Sequence, residues 1–196
     1  MHGGWAGAGP LAPIAIGSAL MVMIFAGGHI SGGHYNAAVT LGVWLRGRCD
    51  TKDVAPYIIA QVAAAALAAL AVKFLKAGVA VTPMNLDTVP TLLAEFLFTF
   101  ALVFVVINAA TAKGTENNSF YGAAIGMTVM TGAFAVGGIS GGAFNPAVAV
   151  GISTMSLASW GNIWIYLVAE FAAGAAAAMM FKILCPDDKK SLFAAI

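Results

Sequence analysis

Charge and cysteine are both scarce in this sequence, and each scarcity excludes a class of protein. Only 9% of the 196 residues are charged, whereas 61% are hydrophobic. Ordinary soluble domains have about 25% charged residues. A water-soluble fold cannot bury so much apolar surface, so we expect lipid to be the solvent. The two cysteines, Cys49 and Cys185, are too few for a disulfide framework and lack the spacing of a zinc site.

Long apolar runs predict five membrane-spanning helices. Each run contains 18 to 25 residues, and at about 1.5 Å per helical residue such a length crosses a hydrocarbon core. Two shorter apolar stretches, 36–45 and 145–155, reach only about half-way across, as re-entrant segments or ordinary loops do. The predicted spans are 11–28, 54–75, 89–110, 121–138 and 160–184.

A polar, glycine-rich phrase occurs twice in this apolar sequence. It reads SGGHYNAAVT from position 31 and SGGAFNPAVA from position 140, an offset of 109 (140 − 31). The same offset pairs Gly17 with Gly126 upstream and Leu75 with Leu184 downstream. A constant offset over this length indicates an internal duplication rather than a compositional coincidence. We therefore predict a first repeat, 1–88, with a re-entrant loop at 29–45, and a second repeat, 89–196, with a re-entrant loop at 138–155.

The two repeats are expected to have opposite orientations in the membrane. Between equivalent points the chain crosses three times if the re-entrant loops do not cross, and an odd number of crossings inverts the second copy. Inverted repeats bring their two loops together near the membrane midplane. Basic side chains concentrate on one side, which the positive-inside rule makes cytoplasmic, together with the C-terminus. That side would carry Arg46, Arg48, Lys52, Lys113, Lys182, Lys189 and Lys190, and the other side Lys73 and Lys76.

Each repeated phrase has the composition of a segment that lines a pore. Non-helical backbone at membrane depth is tolerated where it lines a wet cavity, and glycine pairs allow its tight turns. Asn36 and Asn145 are placed to cap two short helices whose positive N-terminal ends face each other. Their amides would donate to a passing molecule, while the helix ends would repel a cation. The predicted pore carbonyls belong to Gly32, Gly33, His34, Tyr35, Gly141, Ala143 and Phe144.

The duplicated motif carries a family resemblance. The tripeptides Asn36-Ala37-Ala38 and Asn145-Pro146-Ala147 resemble the paired Asn-Pro-Ala loops of the aquaporin family, also called major intrinsic proteins. Pro146 suits the first position of a helix, and Ala37 can occupy the equivalent position because alanine has a high helix propensity. Two such loops at this spacing are specific to the family, and the resemblance covers essentially the whole chain.

Polar residues within the spans extend the resemblance. The segment AEFLFTFALVF, 94–104, is similar to the family's fourth helix with its buried Glu95. Gln61 and Glu170 fall where the family's third and sixth helices carry polar residues that support the loops. The resemblance implies an all-α membrane protein, with an aquaporin-like inverted repeat of five transmembrane helices and two re-entrant half-helices. It also implies passive permeation of water and small uncharged solutes such as glycerol, in a homotetramer in the plasma membrane, without enzymatic activity, cofactor or metal.

The start of the chain departs from the family pattern. The family has six crossings, and the repeat offset puts the partner of Glu95 at position −14, before Met1 (95 − 109). We therefore expect the family's first helix to be absent, whether the protein is naturally this short or its start has been lost. The remaining helices are expected to keep the family's arrangement.

The selectivity filter, the narrow outer part of the family's pore, also differs from the family pattern. By the family's spacing, this filter would consist of Ile16, Ala133, Gly142 and Val148. Val148 stands where family members usually have an arginine, so the set is small and apolar. This implies a wide, weakly selective mouth, open to glycerol, urea or ammonia as well as water. Proton exclusion would then depend on the two asparagines and the helix dipoles.

Two other functions remain open from the residues. A member without the first helix and the filter arginine would suit a non-conducting scaffold that modulates tetramers. A secondary transporter would need a carboxylate in its substrate path, for which Glu95 and Glu170 are candidates. Gln61, at the position equivalent to Glu170, favours hydrogen bonding instead. His34 is interpreted as fixing its loop through its ring nitrogens, with a pH sensor as the alternative.

Overall fold

The computed structural model describes residues 9–188, and within that range the only regular secondary structure is helical. Five of the helices, with the short turns that extend two of them, are long and apolar enough to cross a membrane, which confirms the predicted fold class. Lys189 and Lys190, assigned above to the cytoplasmic side, lie outside the described residues. The helices are α1 (Ala12–Ser31), α2 (Ala37–Arg46), α3 (Thr51–Leu75), α4 (Thr88–Thr111), α5 (Tyr121–Ser140), α6 (Pro146–Thr154) and α7 (Ile163–Leu184).

The first glycine of each repeated phrase ends a long helix. Gly32 follows α1 with a φ of 79°, and Gly141 follows α5 with a φ of 88°. Both angles lie in the left-handed region, where a residue with a Cβ is strained. In each case the glycine N–H closes the helix, by donating to the carbonyl of Gly28 and of Gly137, respectively. The backbone is thereby turned back into the helix bundle, and a half-length helix begins a few residues later.

The two repeats interlock rather than forming separate units. Helix α2 of the first repeat packs on α7, and α6 of the second repeat packs on α3. Helices α1 and α5 cross at Gly17 and Gly126, where a Cβ on Gly17 would lie 2.6 Å from the Gly126 carbonyl oxygen. A Cβ on Gly126 would lie 2.5 Å from the Gly17 carbonyl oxygen. Small residues at such a crossing allow two membrane helices to approach closely.

One end of the bundle, here termed the basic end, carries Arg46, Arg48 and Lys113. The Arg46 side chain is 2% exposed, and its Nη2 donates to Asp188 Oδ1 over 2.7 Å. The guanidinium also lies 4.4 Å from the centre of the Phe181 ring. Asp188 Oδ2 accepts the Lys113 backbone N–H over 2.8 Å. These contacts join the ends of α2, α4 and α7, and Arg48 Nη2 lies 3.7 Å from the same Asp188 Oδ1.

The ionisation of Asp188 reflects this cluster. Burial acts to raise the pKa of the carboxyl, but the Lys113 amide and the Arg46 guanidinium outweigh it and hold the pKa below its ordinary value.

Lys73 lies at the opposite end of the bundle, where its Nζ approaches the Thr154 carbonyl at 3.5 Å.

Candidate functional site

The half-helices α2 and α6 begin at the two predicted asparagines. Asn36 has extended backbone, with a φ of −154°, and its Oδ1 accepts the N–H groups of Ala38 (2.8 Å) and Val39 (3.2 Å). Asn145 has a φ of −163°, and its Oδ1 accepts the Ala147 N–H over 3.0 Å. Both side chains therefore satisfy N–H groups that a helix start leaves free. The sequence prediction of two caps agrees with this geometry.

The two asparagines also join the loops to each other. Asn36 Nδ2 donates to the Phe144 carbonyl over 2.7 Å, and Asn145 Nδ2 donates to the Tyr35 carbonyl over 2.8 Å. The two bonds are equivalent under the repeat, because Tyr35 and Phe144 precede the asparagines. Each amide uses one N–H in this way, and its second N–H has no hydrogen-bond partner among residues 9–188. Both asparagines line a cavity, so each has one donor available to it.

Two buried carboxylates hold the second loop from outside the cavity. Glu95, on α4, accepts the N–H groups of Ala143 (3.0 Å) and Phe144 (2.7 Å). Glu170, on α7, accepts the N–H of Asn145 over 3.0 Å through Oε1. Both side chains are fully buried, and neither lines the cavity. These contacts are those of loop-supporting residues rather than of groups that meet a solute.

The first loop is held by a different set of side chains. Gln61, on α3, donates from Nε2 to Thr40 Oγ1 over 3.0 Å. Thr40 in turn donates to the Asn36 carbonyl over 3.0 Å, and its Oγ1 lies 3.2 Å from His34 Nδ1. Gln61 thus reaches the loop through Thr40, a residue that the sequence prediction omitted. The sequence does indicate this role, because Thr40 follows Asn36 by four residues. At that spacing a threonine hydroxyl in a helix can bond the i−4 carbonyl.

The cavity beside the asparagines has a volume of about 650 Å³ and extends towards both ends of the bundle. Its walls include Lys76 and Met155 away from the basic end, and Ala110 and Tyr121 towards it. Both loops contribute, and the predicted carbonyl residues that line it are Gly32, Gly33, His34, Tyr35, Gly141 and Ala143. Phe144 is not among the lining residues, and its carbonyl accepts the Asn36 amide instead.

Three of the four predicted filter residues line this cavity, namely Ile16, Gly142 and Val148. The fourth, Ala133, is buried and does not line it. The motif residues beside the asparagines are buried in the protein rather than exposed to the cavity; they are Ala37, Ala38, Pro146 and Ala147. Asparagine is therefore the only member of each tripeptide that a solute in this cavity would meet.

Much of the remaining wall is apolar and was not predicted. Leu20 and Ile24 of α1 face the cavity together with Ile125 and Val129 of α5. The sequence could have indicated one of these wall residues, because the repeat offset pairs Ile125 with the predicted filter residue Ile16 (125 − 16 = 109). The wall also includes Leu102 and Val106 of α4 and Met84 of the connection before α4. The result is a largely apolar cavity with two asparagine side chains in its wall.

Five membrane-length helices around two half-helices that meet at their N-termini define an integral membrane protein with an internal cavity. A sequence model of the family described as Major intrinsic protein matches residues 7–181. The chain belongs to this family, the aquaporins, whose members are channels rather than enzymes.

Named relatives agree with that membership. Aquaporin NIP1-4 of Oryza sativa subsp. japonica is 34% identical over 179 residues, which cover 89% of this chain and 65% of the relative. Aquaporin NIP1-3 of the same plant is 36% identical, over 90% of this chain and 62% of the relative. The chain thus spans somewhat less than two thirds of the length of these NIP relatives. Aquaporin TIP4-2 of Zea mays is 31% identical, over 91% of this chain and 72% of the relative.

A solved structure has the same fold. The aquaglyceroporin from Plasmodium falciparum superposes with a TM-score of 0.77, covering 93% of this chain and 86% of that one, at 21% sequence identity. At this identity the likeness concerns the arrangement of the helices and not the solute.

Proposed function

We propose that this chain forms a passive pore for water and small uncharged solutes. The observation that supports the proposal is the cavity of about 650 Å³ that both asparagines line. A solute there meets apolar walls and two amide donors, so a molecule with an accepting oxygen is favoured at the centre. The N-termini of α2 and α6 contribute positive potential at the same place, which disfavours a cation.

The proposed solutes include glycerol and urea as well as water. Ile16, Gly142 and Val148 present small or apolar groups to the cavity, and none of the three offers a charged donor. A mouth of this composition does not exclude a molecule larger than water by charge or by bulk.

The contacts of the buried carboxylates support passive permeation over coupled transport. A transporter that uses an ion gradient needs an ionisable group in the solute path. Glu95 and Glu170 are directed instead at backbone N–H groups of the second loop. The channel that we propose has its basic end and C-terminus in the cytoplasm, and assembles as a homotetramer in the plasma membrane. Mass measurement of the detergent-solubilised protein tests the assembly.

Stopped-flow light scattering of proteoliposomes tests the pore. We expect wild-type protein to accelerate shrinkage under a sucrose gradient and re-swelling in glycerol, relative to protein-free vesicles. Leu20→Trp fills the passage and should remove both effects, since Leu20 lines the cavity. Val22→Trp is the matched control, because Val22 lies on the same helix and is 53% exposed on the outer surface.

Two outcomes would contradict this proposal. If vesicles with folded, inserted wild-type protein shrink and re-swell no faster than protein-free vesicles, the chain does not form a pore, and a non-conducting scaffold is favoured. Uphill solute uptake driven by a proton or sodium gradient would favour a transporter.

A further inference from the structure

We propose that Arg46, Arg48 and the backbone N–H of Lys113 form an anion-binding site at the basic end, which takes a phosphate group in exchange for the Asp188 carboxylate. None of these residues lines the cavity that the two asparagines share. The site therefore goes beyond the proposed function and does not depend on it. It concerns a cluster of buried cations that permeation leaves without a role.

Asp188 shows that the cluster holds an anion. Its Oδ1 accepts from Arg46 Nη2 over 2.7 Å, and its Oδ2 accepts from the Lys113 backbone N–H over 2.8 Å. Arg46 Nη1 also donates to the Asp188 backbone carbonyl over 3.0 Å. The carboxylate thus lies between a guanidinium and a backbone N–H. Both kinds of donor recur wherever proteins bind carboxylate or phosphate groups.

Arg48 is the observation that points to a further ligand. Its side chain is only 10% exposed, yet its guanidinium donates no hydrogen bond to any of the residues 9–188. Arg48 Nη2 lies 3.7 Å from Asp188 Oδ1, which is too far for a hydrogen bond. Arg48 Nε is sealed from solvent and has no partner within the same range. A buried guanidinium with five donors and no acceptor is costly, and an anion with more oxygens would remove that cost.

The charges favour a ligand more negative than a carboxylate. Arg46 and Arg48 carry two positive charges, and Asp188 supplies one negative charge against them. Arg46 Nε is likewise buried without a partner in the described part of the chain. A phosphate monoester carries a charge of about −1.5 to −2 and has three strong accepting oxygens. Such a group can accept from both guanidiniums and from the Lys113 N–H at once. The chemical class is therefore a phosphate monoester or inorganic phosphate.

Asp188 can leave without dismantling the site. It lies four residues beyond the end of α7, its side chain is 12% exposed, and its backbone N–H donates over 3.1 Å to Cys185 in the turn after the helix. Arg46, in contrast, is held from other directions. Its guanidinium lies 4.4 Å from the centre of the Phe181 ring, and its Nη2 also donates to the Thr111 carbonyl over 3.3 Å. Departure of Asp188 would thus leave the donors in place.

The first test is calorimetric titration of the detergent-solubilised protein with inorganic phosphate. Arg48→Gln should weaken binding by about ten-fold or more, the size of one hydrogen bond to a charged group. Asp188→Asn removes the competing charge and should tighten binding. Lys52→Gln is the matched control, because Lys52 loses the same charge near Arg48 in the chain but is 77% exposed and pairs with Asp50. Its effect should stay within about two-fold, as for other exposed ion pairs.

The second test is amide hydrogen exchange of wild-type protein in phosphatidylcholine nanodiscs, followed by mass spectrometry. Phosphate that displaces Asp188 should accelerate exchange at the Asp188 amide and keep the Lys113 amide slow, since the phosphate replaces the carboxylate as its acceptor. The measurement is made with added inorganic phosphate and, separately, with phosphatidic acid in the nanodisc. Acceleration by inorganic phosphate alone identifies a soluble ligand, and acceleration by phosphatidic acid alone identifies a lipid headgroup.

Three results would overturn the proposal. One is a wild-type affinity for phosphate that is equal to that of Arg48→Gln. Another is weaker binding in Asp188→Asn than in wild type, because the carboxylate would then not compete with the ligand. The third is unchanged exchange at Asp188 with either source of phosphate. Should Arg48→Gln fail to fold, Asp188→Asn and the exchange of the wild-type protein decide the question.

Discussion

Replacing Glu95 by glutamine tests how the second loop is held in place. The carboxylate accepts two N–H groups at once, from Ala143 over 3.0 Å and from Phe144 over 2.7 Å. Glutamine has one accepting oxygen, and its NH2 would face the second backbone N–H, donor against donor. A buried donor left without an acceptor costs about 1–3 kcal/mol. Opening of the loop should become roughly 5- to 150-fold more frequent, at about 1.4 kcal/mol per factor of ten.

Glu170→Gln is the matched control for this prediction. Glu170 accepts one backbone N–H, that of Asn145, through Oε1 over 3.0 Å, and its side chain also interacts with that of Glu95. Glutamine keeps the accepting oxygen, and its NH2 can donate to Glu95. The same chemical change on a neighbouring carboxylate should therefore leave the loop close to its wild-type stability.

Amide hydrogen exchange of the segment 141–147, followed by mass spectrometry in detergent, measures the opening directly. We expect Glu95→Gln to accelerate exchange at Ala143 and Phe144, and Glu170→Gln to leave it nearly unchanged. Equal acceleration in the two variants would refute the reasoning, because it would mean that the number of accepted N–H groups does not set the effect. Unchanged exchange in Glu95→Gln would refute it as well.

Three further predictions concern helix packing, acid stability and the mouth. Gly17→Ala should lower the thermal midpoint of unfolding, because its Cβ would lie 2.6 Å from the Gly126 carbonyl oxygen. We expect a cost of about 1–3 kcal/mol. Gly138→Ala is the control and should leave the midpoint unchanged, because no atom lies within 4 Å of the Cβ position at Gly138. The pKa of Asp188 is lowered in the folded protein, so its carboxylate stabilises the fold above the unfolded-state pKa of about 4. The thermal midpoint of the wild-type protein should therefore fall on acidification below that pH. The fall should be smaller in Asp188→Asn. Val148→Arg should reduce glycerol permeation about ten-fold, equivalent to about 1.4 kcal/mol of added barrier, and affect water less, because Val148 lines the cavity.

The starts of the two half-helices were predictable from the sequence because they depend on local chemistry. Each half-helix begins directly after its asparagine, as the capping preference predicts, at Ala37 and at Pro146. The ends of α1 and α5 were predicted at 28 and 138, but the helices continue to Ser31 and Ser140. Glycine and serine lower helix propensity without ending a helix, and each helix ends only at a glycine with a positive φ.

The contacts between the loops were less accessible from the sequence. Duplication and inversion predicted that Asn36 and Asn145 meet, but not that each amide donates to the carbonyl of the opposite loop. Such bonds depend on the depth to which each loop enters, which packing determines. The position of Ala133, which family spacing assigned to the filter, likewise depends on the rotation of α5. That rotation presents Val129 to the cavity and buries Ala133.

The two loops share a backbone path but differ in the side chains that hold them, and this difference has a chemical consequence. Glu95 and Glu170 use carboxyl oxygens on backbone N–H groups of the second loop and lie outside the cavity. Hydroxyl and imidazole groups both donate and accept, so the chain of contacts from Gln61 through Thr40 continues to His34, a residue that lines the cavity. Substitution at Glu95 therefore disturbs the architecture of the second loop. Substitution at Thr40 should disturb the first loop while the contacts of the second loop remain.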